Sequence, residues 1–235
     1  MGIENKNLKT LLERLYSDDC FDREEAIAEL KEIDDPQAVA ALVMTLEDPD
    51  KGIRESIAEA IIEGRSPAAP AFLAQYLDHD DIAVRNLAAE LLTKLGSLSI
   101  EALSEKLSDD DHDVRKFAVD ILGMIGGTAA VEPVIRALDD DNMNVVCSAA
   151  ETLGLLGDPQ AVEPLQEAYR RNTDARAAII EAVGRIGDLS ALNLLTEALA
   201  ADDPVLVLTA IEAMGNMKSR KVELYLKKLL KNEDN

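Results

Sequence analysis

Arginine recurs along this chain at Arg23, Arg54, Arg85, Arg115 and Arg176, and the lattice that these positions define also passes through Val146 and Val207. The steps are 31, 31, 30, 31, 30 and 31 residues, so the chain is a repeat array from end to end. A fixed period of that size describes a supersecondary unit that cannot bury its apolar face alone and must stack on its neighbours. Such an array builds a long surface, and its function is to be sought there rather than in one pocket. The seven lattice residues define repeats one to seven, and positions within a repeat are counted from its lattice residue.

Repeat four shows how a unit is built. Val114, Ala118, Ile121, Leu122 and Ile125 recur at helical spacing and end at Gly126-Gly127, which predicts an amphipathic helix with a C-terminal stop. A second helix follows through Val131, Val134, Ile135 and Leu138, and the Asp139-Asp140-Asp141 cluster after it is expected to cap the next helix. No window alternates with period two, so the fold class expected is all-α. The pattern amounts to about fifteen helices, seven pairs plus one.

No Gly/Ser/Pro-rich linker interrupts the lattice, so residues 1–235 are expected to form a single domain. A capping helix is expected over about 7–16, repeats over about 17–217 and a last helix over about 219–231. Aromatic residues make up only 3% of the chain while 47% is apolar, mostly small and aliphatic side chains suited to close helix packing. The Lys227, Lys228 and Lys231 that surround Leu226, Leu229 and Leu230 fit the polar outer face of a cap. Capped ends in turn predict a monomer.

The formal net charge is -22, which repels phosphate backbones and argues against DNA or RNA as partners. Residues 218–235 run against that trend with six bases and three acids. No apolar run suits a signal peptide or a spanning helix, so no membrane partner and a cytoplasmic location are expected. Cys20 and Cys147 lie four repeats apart, read as reduced thiols, and agree with that compartment.

The unit Val-Arg-x-x-Ala-x-(Asp/Glu)-x-Leu-Gly-x-Ile-Gly, followed by Asp-Pro-x-Ala-Val-x-Pro-Leu, resembles the HEAT-like repeat named after the phycobilisome lyases. The pentapeptide Asp-Pro-Gln-Ala-Val stands at both 35–39 and 158–162. Departures are Asp22 before Arg23, Gly64-Arg65 at a helix end, and Lys218 at the last Gly position. The resemblance implies a right-handed α-solenoid (an α-α superhelix) in which the lattice-bearing helix of each pair lines the concave face. For function it implies little, because such repeats serve scaffolds, enzyme subunits and regulators alike.

Positions -1, +3, +7 and +10 are nearly all apolar and cluster on one side of the helix, which leaves +1, +2, +5 and +9 on the other. Position +5 carries Glu59, Glu90, Asp120, Glu151, Glu181 and Glu212 in six consecutive repeats, acids that pair with the lattice arginines, simply solvate the helices, or form a charged ladder for a partner. Positions +2 and +9 hold Leu87, Phe117, Met124 and Leu155 in the middle repeats, with Cys147 at +1. Apolar residues opposite the core, rimmed by Glu90, Asp120, Glu151 and Glu181, suit a basic or amphipathic segment of a partner protein.

Residues suited to catalysis are scarce. Only His79 and His112 occur and neither precedes a Glu, whereas HEAT-like di-iron hydroxylases use several His-Glu pairs. Asp109, Asp111 and Asp113 begin like a calcium loop, but Val114 stands where the turn Gly belongs, so turn and N-cap duty is expected. Gly123, Gly126 and Gly127 lack the strand and the Lys-Ser/Thr of a phosphate loop. A HEAT-like DNA glycosylase needs a basic groove, and this one is acidic. No metal, no cofactor and no enzyme activity are therefore expected. The sequence points to a protein-binding scaffold, and the resemblance keeps a bilin lyase subunit or another tetrapyrrole-handling protein as the alternative.

Overall fold

The computed structural model describes the backbone of residues 2–33 and 35–232 and the side chains of residues 7–33 and 35–227. Helices are the regular elements of these residues, with no strand among them, and form the stacked helix pairs of an α-solenoid. Residues 1–106 and 107–235 make two compact bodies.

In the first body run α1 (Gly2–Arg14), α2 (Cys20–Leu30), α3 (Pro36–Met44), α4 (Lys51–Gly64), α5 (Ala69–Leu73), α6 (Ile82–Leu95) and α7 (Ile100–Lys106). The second holds α8 (His112–Ile125), α9 (Val131–Arg136), α10 (Met143–Leu156), α11 (Val162–Arg171), α12 (Arg176–Ile186), α13 (Leu192–Leu199), α14 (Pro204–Asn216) and α15 (Arg220–Asn232). The even-numbered helices carry the lattice residues and stack in order, α2 on α4 on α6 and α8 on α10 on α12 on α14. Helix α1 begins well before the expected boundary, because apolar spacing marks only the buried face from Leu8 onward while polar residues extend a helix equally well. Of the basic cap expected on α15, Lys228, Leu229, Leu230 and Lys231 have side chains outside the described residues.

Four of the five lattice arginines reach back to close the turn that precedes their own helix, while Arg176 donates from Nε to the Tyr169 carbonyl at the end of α11. Arg23, Arg54, Arg85 and Arg115 donate from Nη1 to the carbonyls of Ser17, Asp48, His79 and Asp109 at 2.8, 2.5, 3.0 and 2.9 Å. Those same acceptor residues fold the turn themselves. The side chains of Ser17, Asp48, His79 and Asp109 each accept the backbone N–H two residues on, as does Asp140. His79 is thus a turn residue, its Nδ1 accepting from the Asp81 amide. The next link is the N-cap at position -4, where Asp19, Asp50, Asp81, Asp111, Asn142 and Asp203 accept from the first-turn amides. The turn and N-cap duty expected of Asp109 and Asp111 is what the structure shows, while α10 is capped by Asn142 rather than by the aspartates before it.

Position +11 closes the same helices. Gly96, Gly126, Gly157 and Gly187 all have positive φ there, and so do Arg65 (φ 44°) and Lys218 (φ 42°), the two departures from the Gly pattern. The stacking geometry thus imposes the left-handed exit even on side chains that disfavour it. Arg65→Gly is therefore expected to raise stability by about 0.5–1 kcal/mol, relief of backbone strain being partly offset by the larger entropy of the unfolded glycine chain. Urea denaturation of the pair measures it.

Position +8 sets how closely neighbouring repeats approach. A Cβ built on Gly154 would lie 2.9 Å from the Ala182 Cα, and one on Gly184 only 2.5 Å from the Ala213 Cβ. Glycine at +8 therefore receives the small residue at +6 of the next repeat. The first body has Lys31, Ile62 and Thr93 at +8 instead, so this close approach belongs to the second.

Candidate functional site

The eight residues that the sequence singles out divide between the two bodies. Leu87 and Glu90 lie on α6 of the first; Phe117, Asp120 and Met124 on α8, Glu151 and Leu155 on α10, and Glu181 on α12 of the second. Leu87 is half-buried and, with Glu90, lines an open recess of about 510 Å³ against α4. Its rim is mixed in charge, with Lys51 paired to Glu55 at 3.0 Å and Lys94 to Glu90 at 2.6 Å. Arg54 also lines it.

In the second body, position +9 presents Met124 and Leu155 on adjacent packed helices, 62% and 70% exposed. Phe117 is half-buried, and so is Cys147, one turn before Glu151. Burial pushes the Cys147 thiol up from its ordinary range, and the charges of Glu151 and Asp174 act the same way, so it stays protonated. Cys20 and Cys147 are both free thiols.

The acids at +5 differ from one another once the fold is known. Asp120 is held twice, by Lys116 at 2.8 Å and by the hydroxyl of buried Ser148 on α10, which donates to Oδ1 at 2.5 Å. That side chain ties α8 to α10. Glu90 and Glu181 pair with Lys94 and Arg185, four residues along their own helices, both at 2.6 Å. Glu151 has no ion-pair or hydrogen-bond partner among the described residues, and it is exposed. Pairing with the lattice arginines, one of the expectations, does not occur at these positions, because those guanidinium groups turn toward the interhelical turns roughly 140° away around the helix.

Two surfaces escaped the sequence reading. On α14, Val205, Leu208 and Ile211 are 64%, 57% and 46% exposed, and on α2 Phe21 is 62% exposed. Position +4 supplies the signal for the first. Ile27, Ala89, Val119, Ala150 and Ile180 are all buried at +4, so Ile211 has an apolar side chain suited to burial that no described residue covers.

A family model for HEAT repeats matches residues 8–93, 100–176 and 170–235. The chain belongs to the HEAT-repeat family. Among solved structures it is similar to human deoxyhypusine hydroxylase in complex with glycerol, at 21% identity over 90% of this chain and 84% of that one, with a TM-score of 0.47. A designed armadillo repeat protein in complex with peptide (KR)4 shares 19% identity over 90% of this chain and 99% of its own, TM-score 0.37. The complex of CpcE and CpcF of phycocyanin lyase from Nostoc sp. PCC7120 shares 23% over 89% and 93%, TM-score 0.35. Comparison with curated proteins finds no match. Among the described residues no helix is long and apolar enough to cross a membrane, and no group of three or more His, Cys, Asp or Glu is placed to hold a metal ion.

Proposed function

We propose that this protein is a non-catalytic cytoplasmic scaffold that captures a basic or amphipathic segment of another protein on the lattice-bearing helices α8, α10 and α12. The observation that carries the reading is the exposure of Met124 and Leu155 at one lattice position on neighbouring helices, beside the unpaired carboxylate of Glu151. Two large apolar side chains held in water by a rigid stack gain by being covered, and the acid next to them selects a cation at the rim. The net charge of -22 draws such a partner in from a distance.

Affinity purification of the full chain, with mass spectrometry of what it retains, identifies the partner. Phe117→Ala combined with Met124→Glu is expected to weaken capture of that partner about tenfold or more while leaving the helical circular dichroism unchanged. Capture should also fall as salt rises. Unchanged capture by the variant would remove this surface from the reading. Incubation with a bilin and an apo-phycobiliprotein tests the non-catalytic part, since a scaffold yields no coloured adduct.

A further inference from the structure

We infer that the guanidinium of Arg54, between α4 and α6, is a binding site for a carboxylate that the chain itself does not supply. Sister repeats show how the equivalent place is filled. Arg23 sets its Nε 3.2 Å from the Asp48 carboxylate, and Arg115 bonds Asp140 from Nε and Nη2 at 2.7 and 2.8 Å. Each of these acids stands at position -6 of the following repeat. For Arg54 that position is His79, and no other lattice arginine of the first body is followed by a non-acid there, since Arg85 is followed by Asp109. An imidazole has no carboxylate oxygen to offer, and this ring is committed elsewhere. Its Nδ1 accepts the Asp81 amide, its Nε2 lies 3.3 Å from Glu47, and it stacks on Tyr76. Arg176 also meets no acid, at Ala201, but its Nε donates to the Tyr169 carbonyl and its guanidinium lies over the Tyr169 ring. Arg54 has no such substitute. Beyond the Nη1 bond to the Asp48 carbonyl, its Nε and Nη2 donate to nothing among the described residues, and neither is sealed from solvent.

Space and charge narrow what fits. Recesses of about 210 and 510 Å³ share Arg54, Ala83 and Leu87 in their walls. The free Nε–H and Nη2–H edge of a guanidinium matches the two oxygens of one carboxylate. Glu47, Asp48 and Asp81 also line the smaller recess, where His79, Arg23 and the Ala83 amide engage them. Their charge opposes a dianion such as phosphate. Glu55, Glu59 and Glu90 line the larger recess and favour a cation beside the bound group. The ligand class is therefore a single carboxylate with a cation next to it, as in a glutamate flanked by lysines. The site belongs to the first body alone and does not rest on the surface proposed for α8, α10 and α12.

Titration of the blocked tripeptide acetyl-Lys-Glu-Lys-amide into the isotope-labelled full chain, followed by NMR, tests this. The Arg54 Nε–H resonance and the amides of Ala83 and Leu87 should shift saturably. The counterpart peptide with glutamine for glutamate should bind about tenfold more weakly, having lost the charged acceptor. His79→Asp should abolish the shifts, because the chain then supplies the carboxylate as it does at Arg23 and Arg115. Should thermal melting show that variant unfolded, Arg54→Lys replaces it. That variant keeps the charge without the fork, and should bind the glutamate peptide about tenfold more weakly by the Ala83 and Leu87 amides. Acetate that saturates the same resonances supports the site with a free small carboxylate as its source, and acetate without effect supports it with a peptide as source. Absence of any shift with the glutamate peptide overturns the proposal. So does equal binding of the glutamine peptide, phosphate binding as tightly as the glutamate peptide, or a folded variant that binds like wild type.

Discussion

Gly184→Val is expected to destabilise the second body by about 3 kcal/mol, or to prevent α12 and α14 from stacking at all. The first atom of any side chain at 184 would lie 2.5 Å from the Ala213 Cβ and 2.7 Å from its Cα, and a backbone cannot rotate out of the way. Either α14 moves as a unit or the contact opens. The same lattice position supplies its own graded controls. At Gly123 the obstacle is the Thr152 Cγ2 at 2.8 Å, a side-chain methyl that can change rotamer, so Gly123→Ala should cost less than Gly154→Ala or Gly184→Ala. At Gly215 nothing lies within 4 Å, so Gly215→Ala should be neutral or stabilising by up to about 1 kcal/mol through helix propensity. Urea denaturation across the four alanine variants measures the order. A Gly184→Ala variant no less stable than Gly215→Ala would show that the helices are not packed this closely.

Arg115→Ala should cost about 2–3 kcal/mol near neutral pH, the largest effect of any lattice arginine. Arg115 does more than close its own turn. Its Nε and Nη2 donate to the Asp140 carboxylate at 2.7 and 2.8 Å, in the next repeat, and Nη2 also reaches Asp141 at 2.7 Å. Asp140 is 8% exposed at its side chain and Arg115 12%, so truncating the arginine leaves a buried carboxylate without its cation. Arg115→Lys keeps the charge but not the planar fork, and should fall between wild type and alanine. Elsewhere the contribution is smaller. Arg23 stands 3.2 Å from Asp48 through an Nε that forms no aligned hydrogen bond, and Arg54 and Arg85 bond their own turns.

Acid should erase the difference. Burial by itself pushes the Asp140 carboxyl up, but the hydrogen bonds from Arg115 and from the Asn142 amide, with the arginine's charge, outweigh it and hold the group below its ordinary 3.8. A carboxylate with a depressed folded pKa contributes its stability fully above the unfolded value and loses it as pH falls through the folded one. Wild type should therefore lose its advantage over Arg115→Ala as the pH drops from about 5 to about 2. Thermal melts of both proteins across that range measure it. A gap unchanged at low pH would place the arginine's contribution in the carbonyl contacts instead.

Much of the fold was legible in the sequence because both of its determinants are local. Helix starts are written as Asp or Asn four residues before the lattice position in every repeat but the sixth, where Asn172 ends α11 instead, and helix ends as Gly at +11. Even Arg65 and Lys218, which break that rule by type, obey it by conformation. The candidate site was only half legible. Periodicity placed Leu87, Phe117, Met124 and Leu155 away from the core, yet it could not tell Phe117, half-buried, from Leu155, 70% exposed. Nor could it distinguish Asp120, tied to Ser148 across a helix boundary, from Glu151, which stands alone, since the two occupy the same position in the repeat.

By itself the sequence determined the period, the all-α class, the helix ends and the acidic field, since all of these follow from spacing, local hydrogen-bonding chemistry and summed charge. Tertiary structure alone decided which member of each repeated set is covered. Coverage depends on what the neighbouring repeat places opposite, as Ile180 and Ile211 show. They are the same residue at the same lattice position, buried where α14 lies against α12 and 46% exposed on the far side of α14.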